Sequence, residues 1–384
     1  MNLELFLSQK PLFYDVIDLE RFPNAFGQIS HYFKLPKIIH LVGTNGKGST
    51  GRFLATALHR SGKKTGHYTS PHILRFNERI WINGSEILDE ELEVAHQKLY
   101  SLLAPDIAAS LSYFEYTTLL ALVAYEECEY VVLEAGLGGE FDATNVFDKV
   151  LSIFTPIDFD HRAFLGNTID SIAGTKLRSM QTKALIGKQP YMETKIIARQ
   201  IATQKSCALL CIDGMATEAI KENASTLALK NNLSNYLRDN LELAMAAFEI
   251  LGYEATIELF DQEVLFGRLT KIRENITLDV GHNALAAKAI AEAFTGQKIT
   301  LIYNTYADKE YREILSLLSP IVEKVEIIAV DEGRIVEKDL LESALQELEI
   351  AYSMFETIDD NKEYLVFGSF SVAEAFLKRL SYNS

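Results

Sequence analysis

Apolar residues along this chain follow two rhythms. Short, mostly apolar runs at 38–42, 130–133 and 150–154 are rich in β-branched residues and stop abruptly at polar or glycine-rich turns. Such runs, without polar alternation, read as strands covered on both faces, as in a parallel sheet. Between them, apolar positions recur three and four apart, as in Phe53, Leu54, Ala57 and Leu58, which reads as helix. The pattern predicts strands at 38–42, 65–68, 130–134 and 150–154. Helices are expected after residue 46 up to a C-cap at Gly62, over 89–103 and 113–128, and through 172–176, while 3–33 reads as helix and loop. The alternation then weakens, with helices at 195–204 and 234–251 and strands at 206–212 and 225–229. Past a break at Gly267 and a charged segment it resumes. Strands are expected from 276 and near 298–303, 323–330, 352–356 and 363–367, with helices near 284–294, 309–318, 337–349 and 371–380. The fold class is α/β: an N-terminal domain over 1–267 with a mostly parallel sheet, a linker at 268–275, and a smaller C-terminal α/β domain over 276–384.

Bulk composition narrows the partners. The 384 residues suit two domains, and 48% hydrophobic with 23% charged is ordinary for a globular enzyme. A formal net charge of -16 argues against nucleic acid and anionic membrane as main partners, yet leaves room for a nucleotide, which needs only a local positive site. Cys128, Cys207 and Cys211 form no C-x-x-C and read as thiols in a reducing compartment. No basic segment followed by an apolar core opens the chain and no long apolar stretch interrupts it, so a cytoplasmic protein is expected.

The candidate chemistry collects where strands end. The run at 38–42 passes into Gly43, Thr44, Asn45, Gly46, Lys47, Gly48, Ser49 and Thr50, at the head of a helix. Glycines let the backbone curl round an anion, the helix N-terminus supplies N–H groups, Lys47 adds a charge for phosphate oxygens, and Ser49 or Thr50 offers a hydroxyl to Mg²⁺. The spacing is shorter than G-x-x-x-x-G-K-[ST]; the bland alternative is a plain connecting turn. The run at 130–134 ends in Glu134, a carboxylate placed as in a Walker-B strand. A polar loop holds Ser70 and His72, and another, 136–145, holds several glycines with Asp142 and Asn145. His161 follows the strand at 150–154. Lys176 alone would pass for a solvated lysine. Asp279, His282 and Asn283 mark a further strand-to-helix transition.

Taken in order, these segments resemble one family. Gly-Thr-Asn-Gly-Lys-Gly-Ser at 43–49 is similar to the short phosphate loop of Mur-ligase-like amide-forming ATPases. The glycine after the lysine, Thr-Ser-Pro-His at 69–72, Glu-Ala-Gly-Leu-Gly-Gly at 134–139, Asp-Ala-Thr-Asn at 142–145, Asp160-His161 and Asp279 with Gly281-His282-Asn283 resemble its folate branch. The chain is thus identified as a member of the folylpolyglutamate synthase / dihydrofolate synthase family, by resemblance of these motifs. The resemblance implies a P-loop Mur-ligase-like domain carrying the ATP and folate sites, and a Rossmann-like C-terminal glutamate-ligase domain. Thr44, Asn45, Gly46, Lys47, Gly48, Ser49, Thr50, Asn240, Arg268, Asp279 and His282 would bind ATP. Ser70 and Glu134 would hold one Mg²⁺, and Glu134, His161 and Lys176 another, with Lys176 carbamylated to become an anionic donor. Lys47, His161 and Lys176 would serve catalysis, while Phe114, Glu115, Tyr116, Phe141, Asp142 and Ala143 would hold dihydropteroate or folate. The chain departs from the family in its Thr175-Lys176-Leu177-Arg178 setting, in Glu140, and in Ala284.

The expected reaction is ATP-dependent transfer of L-glutamate to dihydropteroate, to reduced folates, or to both, through an acyl phosphate, with the nucleotide between two lobes of a monomer. A peptidoglycan-type ligase would need a substrate domain ahead of the phosphate loop, which here begins at Gly43. A nucleotide-binding switch would explain Lys47 and Glu134 but not the cluster at 279–283.

Overall fold

The structure, a computed structural model, describes residues 2–11, 18–262 and 264–382. Two compact units emerge: Met1–Leu233 with Leu237–Gln262, and Ser234–Tyr236 with Glu263–Ser384. Of the segment 3–33, helices Leu3–Ser8 and Arg21–Ile29 are seen, and 12–17 lie outside the described residues.

The first unit is built on a sheet of eight strands: β1 (Lys37–Val42), β2 (Thr65–Tyr68), β3 (Ile80–Ile82), β4 (Ser85–Glu86), β5 (Tyr130–Glu134), β6 (Lys149–Phe154), β7 (Lys183–Ile186) and β8 (Ala208–Cys211), in the order β4-β3-β2-β5-β1-β6-β7-β8. From β2 to β8 the pairing is parallel, and β3 and β4 add an antiparallel hairpin at one edge. β1 is central, and its Ile39, Leu41 and Val42 are wholly buried, which is why it reads as an apolar run interrupted only by His40. Helices cover both faces. One apolar cluster gathers Ile38, Tyr68, Leu119, Leu120 and Leu133, and another gathers Val42, Phe154, Ile172, Leu177 and Ile186.

Register places the chemistry. Leu41 pairs with Glu134, Val42 with Phe154, and Tyr68 with Leu133. The turns after β1, β2, β5 and β6 therefore open side by side at the C-terminal edge. There the connection from β1 runs to β2 on one side and that from its neighbour β6 to β7 on the other, the kind of place where open α/β sheets bind ligands.

The second unit carries β9 (Thr270–Arg273), β10 (Ile276–Leu278), β11 (Ile299–Tyr303), β12 (Val322–Ile327), β13 (Ala351–Met354) and β14 (Tyr364–Phe367) in the order β13-β12-β11-β14-β10-β9. All pairs are parallel except β9 with β10.

Two expectations change. Residues 225–229 are not a strand but lie inside the Glu218–Lys230 helix, where Thr217 caps the N-terminus and Ile220, Ala224, Leu227 and Ala228 form one buried face. Local apolar density hid a helical spacing that began upstream. The stretch 268–275, read as a linker, contains β9, an edge strand of the second unit whose alternating Lys271 and Arg273 are exposed. No helix among the described residues is long and apolar enough to cross a membrane.

Candidate active site

The loop after β1 is held open from beneath. Thr44 N–H donates to Pro156 O at 2.8 Å, and Thr44 Oγ1 donates to Asp158 O at 2.9 Å, so the segment after β6 is its floor. Gly43 is obligatory here: a Cβ would stand 2.0 Å from Thr155 Oγ1. Gly46 adopts φ +87° and forms the N-cap of the Lys47–Arg60 helix without any side-chain cap. The first intrahelical bond runs from Thr50 N–H to Gly46 O at 2.9 Å, so the preceding N–H groups have no helical acceptor. The hydroxyls of Ser49 and Thr50 are buried with no hydrogen-bond partner among the described residues. A buried hydroxyl without a partner is costly, and these two sit at a positive helix end; the arrangement suits an anion and its counter-cation.

Asn240, from the Asn235–Ile250 helix, is buried against this loop: a Cβ on Gly46 would lie 2.5 Å from its Oδ1. Gly46→Ala is therefore expected to destabilise the chain by about 2–3 kcal/mol, the left-handed strain plus this collision. Gly62 also has a positive φ, +87°, but open space around it. Gly62→Ala isolates the strain, about 1 kcal/mol, and chemical denaturation of the two variants side by side checks the difference.

Two lysines converge on the loop. Lys47 Nζ donates to Gly43 O and Thr44 O, both at 3.2 Å, and stands 3.7 Å from Glu134 Oε1. Lys176, buried in the Ile169–Leu177 helix, donates from Nζ to Gly43 O at 3.0 Å. Burial, and then the neighbouring Lys47 charge, bring the Lys176 ammonium from the ordinary 10.5 down to about 7, against the pull of Asp160 and Asp142. The reading of Lys176 as a solvated lysine fails: its helix packs its Cα and carbonyl against Gly139, where a Cβ would come within 2.9 Å of Lys176 O.

Glu134 closes β5 nearly fully buried. Its Oε2 accepts from Thr69 Oγ1, the residue before the predicted ligand Ser70. Thr69 was missed, although the Tyr68–Leu133 register sets it beside Glu134. His161, half exposed at φ +50°, donates its N–H to Asp160 Oδ1 at 2.8 Å, and its Nε2 lies 3.9 Å from Asp160 Oδ2. Among the described residues, no three His, Cys, Asp or Glu side chains cluster as a metal site. The carboxylate of Glu134 and the buried hydroxyls of Ser49 and Thr50 are oxygen donors of the kind that suits a hard divalent cation keeping part of its water.

Of the residues proposed for the acceptor, Asp142 is half-buried and accepts from Leu137 N–H at 2.8 Å, Thr144 N–H at 2.9 Å and Thr144 Oγ1 at 2.5 Å. Burial raises its carboxyl above the usual range despite these bonds. Ala143 is buried beside it, and Phe141 is half exposed. Phe114 lies on Gly136, where a Cβ would meet its ring at 2.6 Å. Glu115 is taken up by Arg21, with Nε 3.0 Å from Oε2 and NH2 3.0 Å from Oε1. Tyr116 is a correction. It is wholly buried, packed on Phe6 with its hydroxyl 2.8 Å from His96 Nδ1, so its ring offers no face for stacking.

In the second unit, Asp279 follows β10 and is saturated by its own surroundings: Oδ2 accepts from Tyr236 OH at 2.9 Å and Leu269 N–H at 3.0 Å, and Oδ1 from Gly281 N–H at 2.8 Å. Arg268 lies over the Phe370 ring, 5.5 Å from its centroid, and His282 Nδ1 is 3.2 Å from Val280 O.

No family model matches the chain. The dihydrofolate synthase/folylpolyglutamate synthase of Haemophilus influenzae is 31% identical over 346 residues, 80% of this chain and 78% of that protein. The crystal structure of Helicobacter pylori folylpolyglutamate synthetase has a TM-score of 0.82 at 39% identity, over 99% of this chain and 98% of that one. A bifunctional folylpolyglutamate synthase/dihydrofolate synthase with Mn, AMPPNP and L-glutamate bound has the same fold, with a TM-score of 0.83 at 23% identity over 99% of this chain and 98% of that one. With a phosphate loop, a strand-end carboxylate and a buried lysine on one sheet edge, and with relatives of this identity and coverage, the chain belongs to the dihydrofolate synthase/folylpolyglutamate synthase family.

Proposed function

We propose that this protein is an ATP-dependent ligase that joins L-glutamate to dihydropteroate, to the glutamyl tail of reduced folate, or to both. The observation that carries the reading is the meeting of Lys47, Glu134 and Lys176 around the loop at Gly43, in a chain of this family. Mn, AMPPNP and L-glutamate in the related structure support ATP, a divalent cation and glutamate here.

A carboxylate oxygen of the acceptor attacks the γ-phosphorus of ATP, the bond to the β-phosphate oxygen breaks, and ADP leaves. The amine nitrogen of glutamate then attacks the acyl carbon, the carbon–oxygen bond to phosphate breaks, and a proton leaves the nitrogen. Lys47 exchanges its loop carbonyls for phosphate oxygens and offsets the charge that builds on them. The helix N-terminus at 47–50 orients the triphosphate, and the loop at 141–143 with Phe114 holds the acceptor. Ser70, Glu134, His161 and a carbamylated Lys176 would hold divalent cations, in two sites, whose contribution is further charge neutralisation on the phosphates. Asn240 in the first unit and Arg268, Asp279 and His282 in the second are proposed nucleotide contacts. The reading includes a cytoplasmic monomer with unpaired thiols.

The test is a turnover assay with dihydropteroate and tetrahydrofolate offered separately. ATP consumption should require both glutamate and an acceptor, and product mass should rise by one glutamyl unit per ATP. Hydrolysis indifferent to glutamate would make the chain a nucleotide switch instead.

A further inference from the structure

Beneath the loop at 136–145 lies a buried polar layer that the reaction above does not use. Lys149 opens β6 and is buried. Its ammonium donates to Asn145 Oδ1, to Ser179 O at 3.0 Å and, more weakly, to Asn145 O at 3.4 Å. Asn145 passes the link into the loop, its Nδ2 donating to Glu140 O at 2.8 Å. Ser179 passes it into the helix, its Oγ donating to Lys176 O at 2.6 Å. The loop and helix also touch directly: Glu140 N–H donates to Thr175 O at 3.0 Å, and Arg178 Nε to Glu140 Oε2 at 2.5 Å. Those contacts are half-buried, whereas the buried Lys149 ties the two segments from the inside. Next to it, His40 Nε2 lies 2.7 Å from Thr144 Oγ1, which donates to Asp142 Oδ1. That order makes Nε2 the protonated nitrogen of a neutral His40.

We infer that Lys149 is a positioning residue: its ammonium locks the acceptor loop at 136–145 to the helix carrying Lys176, and thereby sets affinity for the acceptor through Asp142. The inference rests on the roles given above to Asp142 and Lys176. A buried ammonium with acceptors on two segments fixes their spacing in a way that an apolar side chain of the same length does not. The clamp depends on charge. Burial and the Lys205 charge bring Lys149 down to about 7, opposed by Asp142 and Asp148, while His40 stays neutral. As pH rises through that value the amine loses its charge and one donor, and its hold on the loop weakens.

Lys149→Met and Asn145→Ala cut the same tie from its two ends. In each, the KM for the acceptor is expected to rise about tenfold while the KM for ATP stays within about twofold. In the wild type the acceptor KM should climb between pH 6 and pH 8.5, and in Lys149→Met it should be flat. Hydrogen exchange on the unliganded protein should show residues 137–145 and 172–179 losing protection together, with the rest of the chain unchanged. An unchanged acceptor KM in both variants, a parallel loss for ATP, the same pH slope in Lys149→Met, or exchange that moves in one segment alone overturns the inference. Should Lys149→Met fail to fold, Asn145→Ala carries the same comparison. A wild type without acceptor-dependent turnover refutes the ligase reading, and hydrogen exchange still decides whether Lys149 is the lock.

Discussion

Lys47→Met is expected to lower kcat about a thousandfold while leaving the fold intact, which is the scale for removing a preorganised charge from a developing oxyanion. Methionine keeps most of the apolar stem. The bonds lost are those to Gly43 O and Thr44 O and the longer approach to Glu134. None of these closes a core: the cluster beneath, with Val42, Phe154 and Ile172, is untouched. Thermal unfolding should therefore shift by only a few degrees. Acceptor affinity should be nearly unchanged, because Asp142 and Phe114 are held by other contacts. A rapid-quench measurement of acyl-phosphate formation places the loss in the phosphoryl-transfer step, where ground-state binding contributes little. A second effect accompanies it. Lys47 is the charge that, after burial, most depresses the Lys176 ammonium, so its removal should raise the Lys176 pKa. Turnover within tenfold of the wild type would remove Lys47 from the reaction.

Much of the site could be read from the chain because it lies at strand ends. A buried parallel strand must be continuously apolar, and its first polar residue is where the sheet edge begins. Glu134 and the Gly43 loop announce themselves in this way, and so does Asp279 in the second unit. What sequence pattern hides is the partner across space. Thr69 meets Glu134 only because β2 pairs with β5 at one particular register, a relation that β2 alone cannot express. Asn240 lies against Gly46 across nearly two hundred positions, with nothing local to mark it as buried. Tyr116 fails in the opposite sense. Its position beside Phe114 looks like an aromatic pair for a flat ring, but successive residues on a helix point about 100° apart, so Tyr116 turns into the core toward Phe6 and His96. The helix at 218–230 was misread for a related reason: a window of five residues rich in Leu and Ala favours neither period.

The electrostatics add what neither pattern nor register conveys. Lys47, Lys149 and Lys176 all stand close to the glycine-rich turns, and burial depresses Lys149 and Lys176 alike. In an acidic chain of net charge -16, Lys47 and Lys176 thus stand at the C-terminal edge of the sheet and Lys149 at the opposite end, where β6 begins, and the buried Lys149 and Lys176 lie where solvent does not screen them. Two of these cations sit near the boundary between charged and neutral at physiological pH. Each has acceptors that both forms can use, so pH can alter the site without unfolding it.

Lys176→Met should reduce turnover by about two to three orders of magnitude, the range for losing a positioned charge-stabilising group. The wild type should also depend on dissolved carbon dioxide in a way that the variant does not. In the fold the Lys176 amine is held near 7 rather than 10.5. Between those values the unfolded chain binds more protons, so this group's contribution to stability rises with pH and is most unfavourable below about 7. The same shift sets its reactivity. Above about 7 the amine is largely neutral: its lone pair can attack carbon dioxide, forming a nitrogen–carbon bond and releasing a proton, which leaves an anionic carbamate. Below it the ammonium dominates, cannot react, and would repel a divalent cation beside Glu134. Protein dialysed at pH 6 without carbon dioxide should therefore lose most of its activity, recover it on return to pH 8 with bicarbonate, and recover little at pH 8 without it. Lys176→Met should be slow under all these conditions and indifferent to bicarbonate. If its activity matched the wild type, the amine would be a packing element alone. If the variant were inactive but the wild type ignored bicarbonate, Lys176 would act as a plain cation holding Gly43 O, and the reading of it as a carbamate donor would be withdrawn.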